Sequence, residues 1–228
     1  MASEGDEGAV RAAKALALMD PSHAAAAIAG MDPADAAAII MAMDDETRAR
    51  ILASLSPEEQ AKILASIPPS KYLQMSDNTA ADLLTLLGVD AAAAILKEMT
   101  GLDVGRVGTV LATLGGAIAG QIICAVSKGG DSRSLDAAGA MLAAAAAMDE
   151  PGAGRISRAT YAAGGDEIFK QLLPRMSKDA ACDVFLSASS DPDMVNGIMR
   201  SVGGKFVGEA LAKAGQDKAG GGMLTLEG

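Results

Sequence analysis

From Met19 to Ile67 the chain repeats one phrase every twelve residues: MDPSHAAAAIAG, MDPADAAAIIMA, MDDETRARILAS, LSPEEQAKILAS, and then Ile67. Each copy opens on a large apolar residue: Met19, Met31, Met43, Leu55 and Ile67. Behind it stands Asp20, Asp32, Asp44 or Ser56, whose side-chain oxygen can accept bonds from the free amides of a first helical turn. Pro21, Pro33 and Pro57 then fall at the first helical position, where a missing N–H costs nothing. Ser56 with Glu59 has the spacing of a capping box, and Asp32 with Asp35 approximates one. The pairs Ile39/Ile40, Ile51/Leu52 and Ile63/Leu64 close the copies on the face shared with the alanines. Each copy therefore encodes one helix of roughly eight or nine residues, followed by a sharp restart.

So short a helix is marginal alone and cannot bury its apolar stripe, whereas stacked copies can. The repeat predicts an all-α superhelical solenoid, right- or left-handed, with a 12-residue unit and about 24 residues per hairpin. Composition points the same way. Half of the 228 residues are apolar, which excludes wholesale disorder. Alanine dominates that half, while Trp is absent and Phe and Tyr number three and two. Alanine favours helices, strands prefer branched and aromatic residues, and a methyl side chain lets backbones approach closely.

The period continues more weakly beyond Ile67, through Met75, Leu87 and Met99, and after a slip through Leu102, Leu114 and Val126. The expected organisation is a flexible acidic N-terminus at 1–12, helical repeats at 13–126 and a Gly/Ser loop or boundary at 127–134. Further helical repeats follow at 135–214, with starts near Ser177 and Asp191, and then a flexible Gly-rich tail with an apolar end at 215–228.

Charge narrows the function classes. A formal net charge of −10 argues against a nucleic-acid partner, which needs clustered Lys and Arg, and against an anionic membrane surface. The opening MASEGDEG has neither the basic start nor the apolar core of a signal peptide, so a cytoplasmic location is expected. Cys124 and Cys182 read as small buried hydrophobes of a reducing compartment, with a disulfide as the weaker alternative. The charge-free run from Val107 to Val126, with Gly116 and Gly120 in a GxxxG spacing, is long enough to cross a bilayer. The other reading is two buried helices broken at Gly115-Gly116, and the repeat spacing running through the span favours it.

The segments MDPSHAAAAIAGM, MDPADAAAIIMAM and LSPEEQAKILASI resemble the cytoplasmic N-terminal domain of MgtE-type magnesium transporters. They are also similar to the superhelical, armadillo-type segments of FliG-type flagellar motor switch proteins. The resemblance is best over residues 16–100. It implies a helical-repeat module that touches other protein surfaces. The transporters add a regulatory domain and membrane helices, for which 228 residues leave no room, and the switch proteins add a charged torque helix with no counterpart here.

Site candidates are few. Asp20, Asp32, Asp35, Asp44 and Asp45 gather at helix starts, where capping and dipole pairing account for them. The transporter resemblance adds weak Mg²⁺ binding as an alternative, and no other cofactor is expected. His23 replaces the usual acidic residue of its unit and has no ligand-spaced partner, so it reads as a solvated first-turn residue. No nucleophile elbow, phosphate loop or dinucleotide fingerprint is present, so no enzymatic activity is expected. The terminal Met223, Leu224 and Leu226 are candidates for a docking peptide. The function expected is a non-enzymatic scaffold or adaptor binding other proteins of a multi-subunit assembly, flagellar or cytoskeletal by the resemblance. The alternative is a soluble regulator of divalent-cation transport that senses metal through the acidic helix starts.

Overall fold

The computed structural model describes residues 4–148, 154–187 and 191–209, together with residue 212, and all secondary structure among them is helical. The chain divides into two compact units, Met1–Ala91 and Ala92–Gly228.

In the first unit, α1 (Glu4–Ala17) is followed by α2 (Pro21–Ala29), α3 (Pro33–Met41), α4 (Asp45–Leu52), α5 (Pro57–Ala65), α6 (Pro69–Tyr72) and α7 (Asp77–Leu87). The helices from α2 to α6 begin twelve residues apart. Residues 4–12, expected as a flexible terminus, lie in α1 instead. Its stripe of Ala9, Ala13 and Leu16 has helical spacing, and Ala13 and Leu16 are buried where α1 packs on α3. Packing is between second neighbours: α1 on α3, α3 on α5, α5 on α7, and α2 on α4. Successive helices thus alternate between two layers. The closing residues Ile28, Ile40, Leu52 and Leu64 lie between them, at 2% exposure or less. The leading positions are covered progressively along the chain: Met19 is 43% exposed, Met43 and Leu55 6%, and Ile67 2%.

The helices α3, α4 and α5 do not end on left-handed glycines. Their last residues pass into Ala42, Ala53 and Ser66, which keep right-handed helical angles. Carbonyls at those ends also take side-chain donors from the next unit, although those of Ile40, Leu52 and Leu64 already accept the amides of Met43, Leu55 and Ile67. Arg48 donates from Nε to the carbonyl of Ile40 (3.0 Å) and from Nη2 to that of Met43 (2.6 Å). Gln60 donates to the carbonyls of Leu52 (2.7 Å) and Leu55 (3.2 Å), and the Tyr72 hydroxyl to that of Leu64 (3.0 Å). Positions 48, 60 and 72 are one register of the repeat, and each reaches back eight residues. The same register holds Ala24 and Ala36 in the earlier units, both fully buried.

The second unit contains α8 (Val89–Thr100), whose first turn crosses the boundary, α9 (Val104–Leu114), α10 (Gly116–Ser127) and α11 (Ser132–Met148). After these come α12 (Arg155–Leu172), a 3-10 turn at Leu173–Arg175, α13 (Lys178–Ser187) and α14 (Pro192–Val202). Second neighbours pack here too: α9 on α11, α11 on α13, α10 on α12 and α12 on α14. The charge-free run is two helices broken at Gly115, which has a φ of +83°. Among the described residues no helix is long and apolar enough to cross a membrane. Gly120 faces α12 so closely that a Cβ there would stand 2.5 Å from the carbonyl carbon of Ala159. The GxxxG spacing therefore serves helix packing inside the unit. Residues 127–134, read as a loop or boundary, hold the end of α10, a short turn and the start of α11. There Asp131 accepts from the amide of Ser134 (2.8 Å).

Candidate functional site

The acidic candidates sit at helix starts, and most are engaged there. Asp20 accepts from the amide of Ser22 (3.0 Å) and Asp32 from that of Ala34 (2.9 Å). Asp44 takes both the amide (2.9 Å) and the hydroxyl (2.8 Å) of Thr47. These bonds, the amide first, hold its carboxyl below the ordinary value. Asp35 is an exposed first-turn residue of α3. Asp45 accepts from Arg48 Nη1 (2.6 Å) and from the Thr79 hydroxyl (3.3 Å). His23 is exposed in the first turn of α2. No group of three or more His, Cys, Asp or Glu converges among the described residues in a way that could hold a metal ion. Met223, Leu224 and Leu226 lie outside the described residues.

A groove of about 660 Å³ lies in the first unit. Its floor comes from α3, which turns Ala36, Ile39 and Ile40 into the core and leaves Ala34, Ala38, Met41 and Ala42 facing the groove. Ala9 and Val10 of α1 form one wall. The other wall is the connection from Ser66 to Lys71, with Met75 and Thr79 beyond it. One end is closed by the Arg48–Asp45 pair, whose guanidinium is nine-tenths buried and fixed on the two carbonyls of the preceding helix end. The Lys71 ammonium is exposed at the rim and makes no ion pair among the described residues.

The groove leaves only a faint trace in the sequence. Glu58 and Lys62 are an i,i+4 pair of opposite charge on α5, and Glu46 and Arg50 are the same pair on α4. In α3 those two register positions are Ala34 and Ala38. A face that is charged in the two following copies is bare methyl here, and the preceding copy is likewise uncharged, with Ser22 and Ala26.

Other polar clusters are structural in geometry. Lys97 Nζ donates to the Ser134 hydroxyl (2.6 Å), which in turn donates to Asp131 (2.5 Å). Ser134 is 1% exposed and its proton points to the carboxylate, so the cluster braces the start of α11. At the break of α12 on Gly165, the Tyr161 hydroxyl donates to Asp166, which pairs with Arg200 of α14 (3.7 Å). Gly197 lies against both groups with no room for a Cβ. Cys124 is buried, and burial pushes its thiol up, away from thiolate chemistry.

Fold and groove define a class: an all-helical repeat module whose recognisable surface is a groove over short stacked helices. Within it, residues 8–68, running from the second turn of α1 past the end of α5, match the family model of the MgtE intracellular N domain. The resemblance read from the sequence is shown for that segment. No curated protein and no solved structure matches the chain.

Proposed function

We propose that this chain is a non-catalytic helical-repeat module that regulates divalent-cation transport by binding a partner protein according to cation level. The observation that carries this reading is the match of residues 8–68 to the MgtE intracellular N domain. In this reading the twelve-residue copies wind into a superhelix. The carboxylates of Asp20, Asp32, Asp35, Asp44 and Asp45 gather hydrated Mg²⁺ weakly, through water as much as directly, since Mg²⁺ gives up its shell reluctantly. Cation binding would then favour one arrangement of the repeats over another and change what the module holds.

Thermal unfolding in MgCl₂ against NaCl of equal ionic strength tests it. A ligand that binds only the folded chain raises the midpoint, by about 1.4 kcal/mol of stability at ten times its Kd. A rise specific to Mg²⁺ is expected. Equal curves in the two salts would remove cation sensing.

A second reading is favoured by the groove itself: a scaffold in a larger cytoplasmic assembly, flagellar or cytoskeletal in context, with no cation role. Cross-linking mass spectrometry on the tagged protein from its own cells separates the two. Links from the repeats into a membrane transporter support regulation, and links into a large multi-subunit assembly support the scaffold.

A further inference from the structure

We infer that the groove over α3 seats an amphipathic helix from a partner protein, laid with its apolar face on the alanines and a carboxylate on Lys71. This deepens the reading of the repeats as a partner-binding module and rests on that reading, though not on cation sensing.

Features of the groove select this occupant. Its floor of exposed Ala34 and Ala38 lets another backbone come close, and the half-buried Met41 and Met75 can shift to fit what arrives. An apolar groove between stacked helices is the shape into which amphipathic helices dock. Desolvation is also inexpensive there. The oppositely charged residues that α4 and α5 carry at these positions are missing from α3, so the floor itself brings no charged side chain to be stripped of water.

Charge decides the sign of the partner. Asp45 is committed to Arg48 and the Thr79 hydroxyl, and Arg48 spends its donors on Asp45 and on the carbonyls of Ile40 and Met43. The Arg48–Asp45 pair is neutral as a whole, so the charge left unbalanced in the lining is the Lys71 ammonium, unpaired among the described residues of a chain of net charge −10. The groove is thus a place on an acidic protein where a carboxylate is welcome. Complementary charge of this kind governs encounter and choice of partner more than raw affinity.

The test uses the full chain in EDTA and two synthetic helical peptides about five turns long. Both carry the same Leu/Ala stripe, and they differ only in bearing Glu or Lys at the stripe's edge. Fluorescence anisotropy is expected to show saturable binding of the Glu peptide, about tenfold tighter than the Lys peptide. Ala38→Glu should weaken that binding at least tenfold, and Lys71→Glu should invert the preference. Both side chains are exposed, so circular dichroism should show both variants folded. Absence of saturable binding, equal affinity for both peptides, or binding untouched by Ala38→Glu would overturn the inference. So would a dimer of the wild-type chain in light scattering that Ala38→Glu dissolves, because the occupant would then be a second copy. Since divalent cations are absent, failure here leaves the Mg²⁺ melting result standing, and the converse holds.

Discussion

Arg48, Gln60 and Tyr72 show how much one register position can do. Each adds a side-chain donor to a helix-end carbonyl that already holds a turn amide, and Arg48 and Gln60 reach the carbonyls of Met43 and Leu55 as well. Removing Arg48 or Gln60 takes the side-chain donor from Met43 or Leu55, whereas Leu64 keeps its bond from the Ile67 amide without Tyr72, and the cost grows with burial and charge. Arg48→Ala is expected to destabilise the first unit by about 2–4 kcal/mol, and Tyr72→Phe and Gln60→Ala by about 1 each. Urea unfolding of the three variants checks the order, and three losses under about half a kcal/mol would show that water satisfies these ends. The caps give a pH dependence. Glu59 is held below its ordinary value by the Ser56 hydroxyl and then the Ser56 amide, as Asp44 is by Thr47. A carboxyl lowered by folding adds stability above its unfolded value and loses it as pH falls through the folded one. The melting midpoint should therefore hold steady above about pH 5 and fall below about pH 4, less steeply in the Asp44→Asn/Glu59→Gln variant. The caps were legible in the sequence because each acts within three residues. The reach-back contacts were not, because they depend on the angle of a turn eight residues wide.

At the level of helices, the pair α10 and α12 has the least room. A Cβ on Gly120 would stand 2.5 Å from the carbonyl carbon of Ala159 and 2.6 Å from the amide nitrogen of Thr160. Backbone cannot swing aside as a side chain can. Gly120→Ala should cost about 1–3 kcal/mol or more in thermal unfolding. The matched control is Gly105→Ala in α9, whose nearest neighbour lies 3.5 Å away, and it should stabilise by about 0.5–1 kcal/mol. Should both alanines behave alike, the close approach would have no energetic meaning. This stretch also marks a limit of sequence reading. An uncharged run with a GxxxG spacing has the same composition whether it meets lipid or another helix. The decision lies in the left-handed Gly115 and in the backbone opposite Gly120.

Across the whole chain, the two units bury their own cores. Ile28, Ile40, Leu64 and Tyr72 are at most 2% exposed in the first, and Met99, Leu111 and Phe169 are fully buried in the second. A fragment of residues 1–91 is expected to give a helical circular-dichroism spectrum and a cooperative melt. A fragment ending at Pro68, where the family match ends, lacks Tyr72 and α7, and should melt lower and more gradually. Equal melting of the two would contradict the dependence of α5 on Tyr72 and α7. The helical class and the restarts were legible because they are local and repeated. The groove was not, since it needs α1, α3 and the segment around Lys71 brought together, and its trace in the sequence is a pair of missing charges at Ala34 and Ala38.

The reach-back contacts also give the stack a direction in time. The ends of α3, α4 and α5 gain their side-chain donors from Arg48, Gln60 and Tyr72 only after the successor has emerged from the ribosome. During synthesis of these three copies the newest helix end therefore lacks its side-chain donor, which comes from chain not yet made. The same dependence separates a chain cut at Pro68 from one that runs to Ala91: growth from the N-terminus proceeds by finishing the previous step, and a chain stopped early stops unfinished.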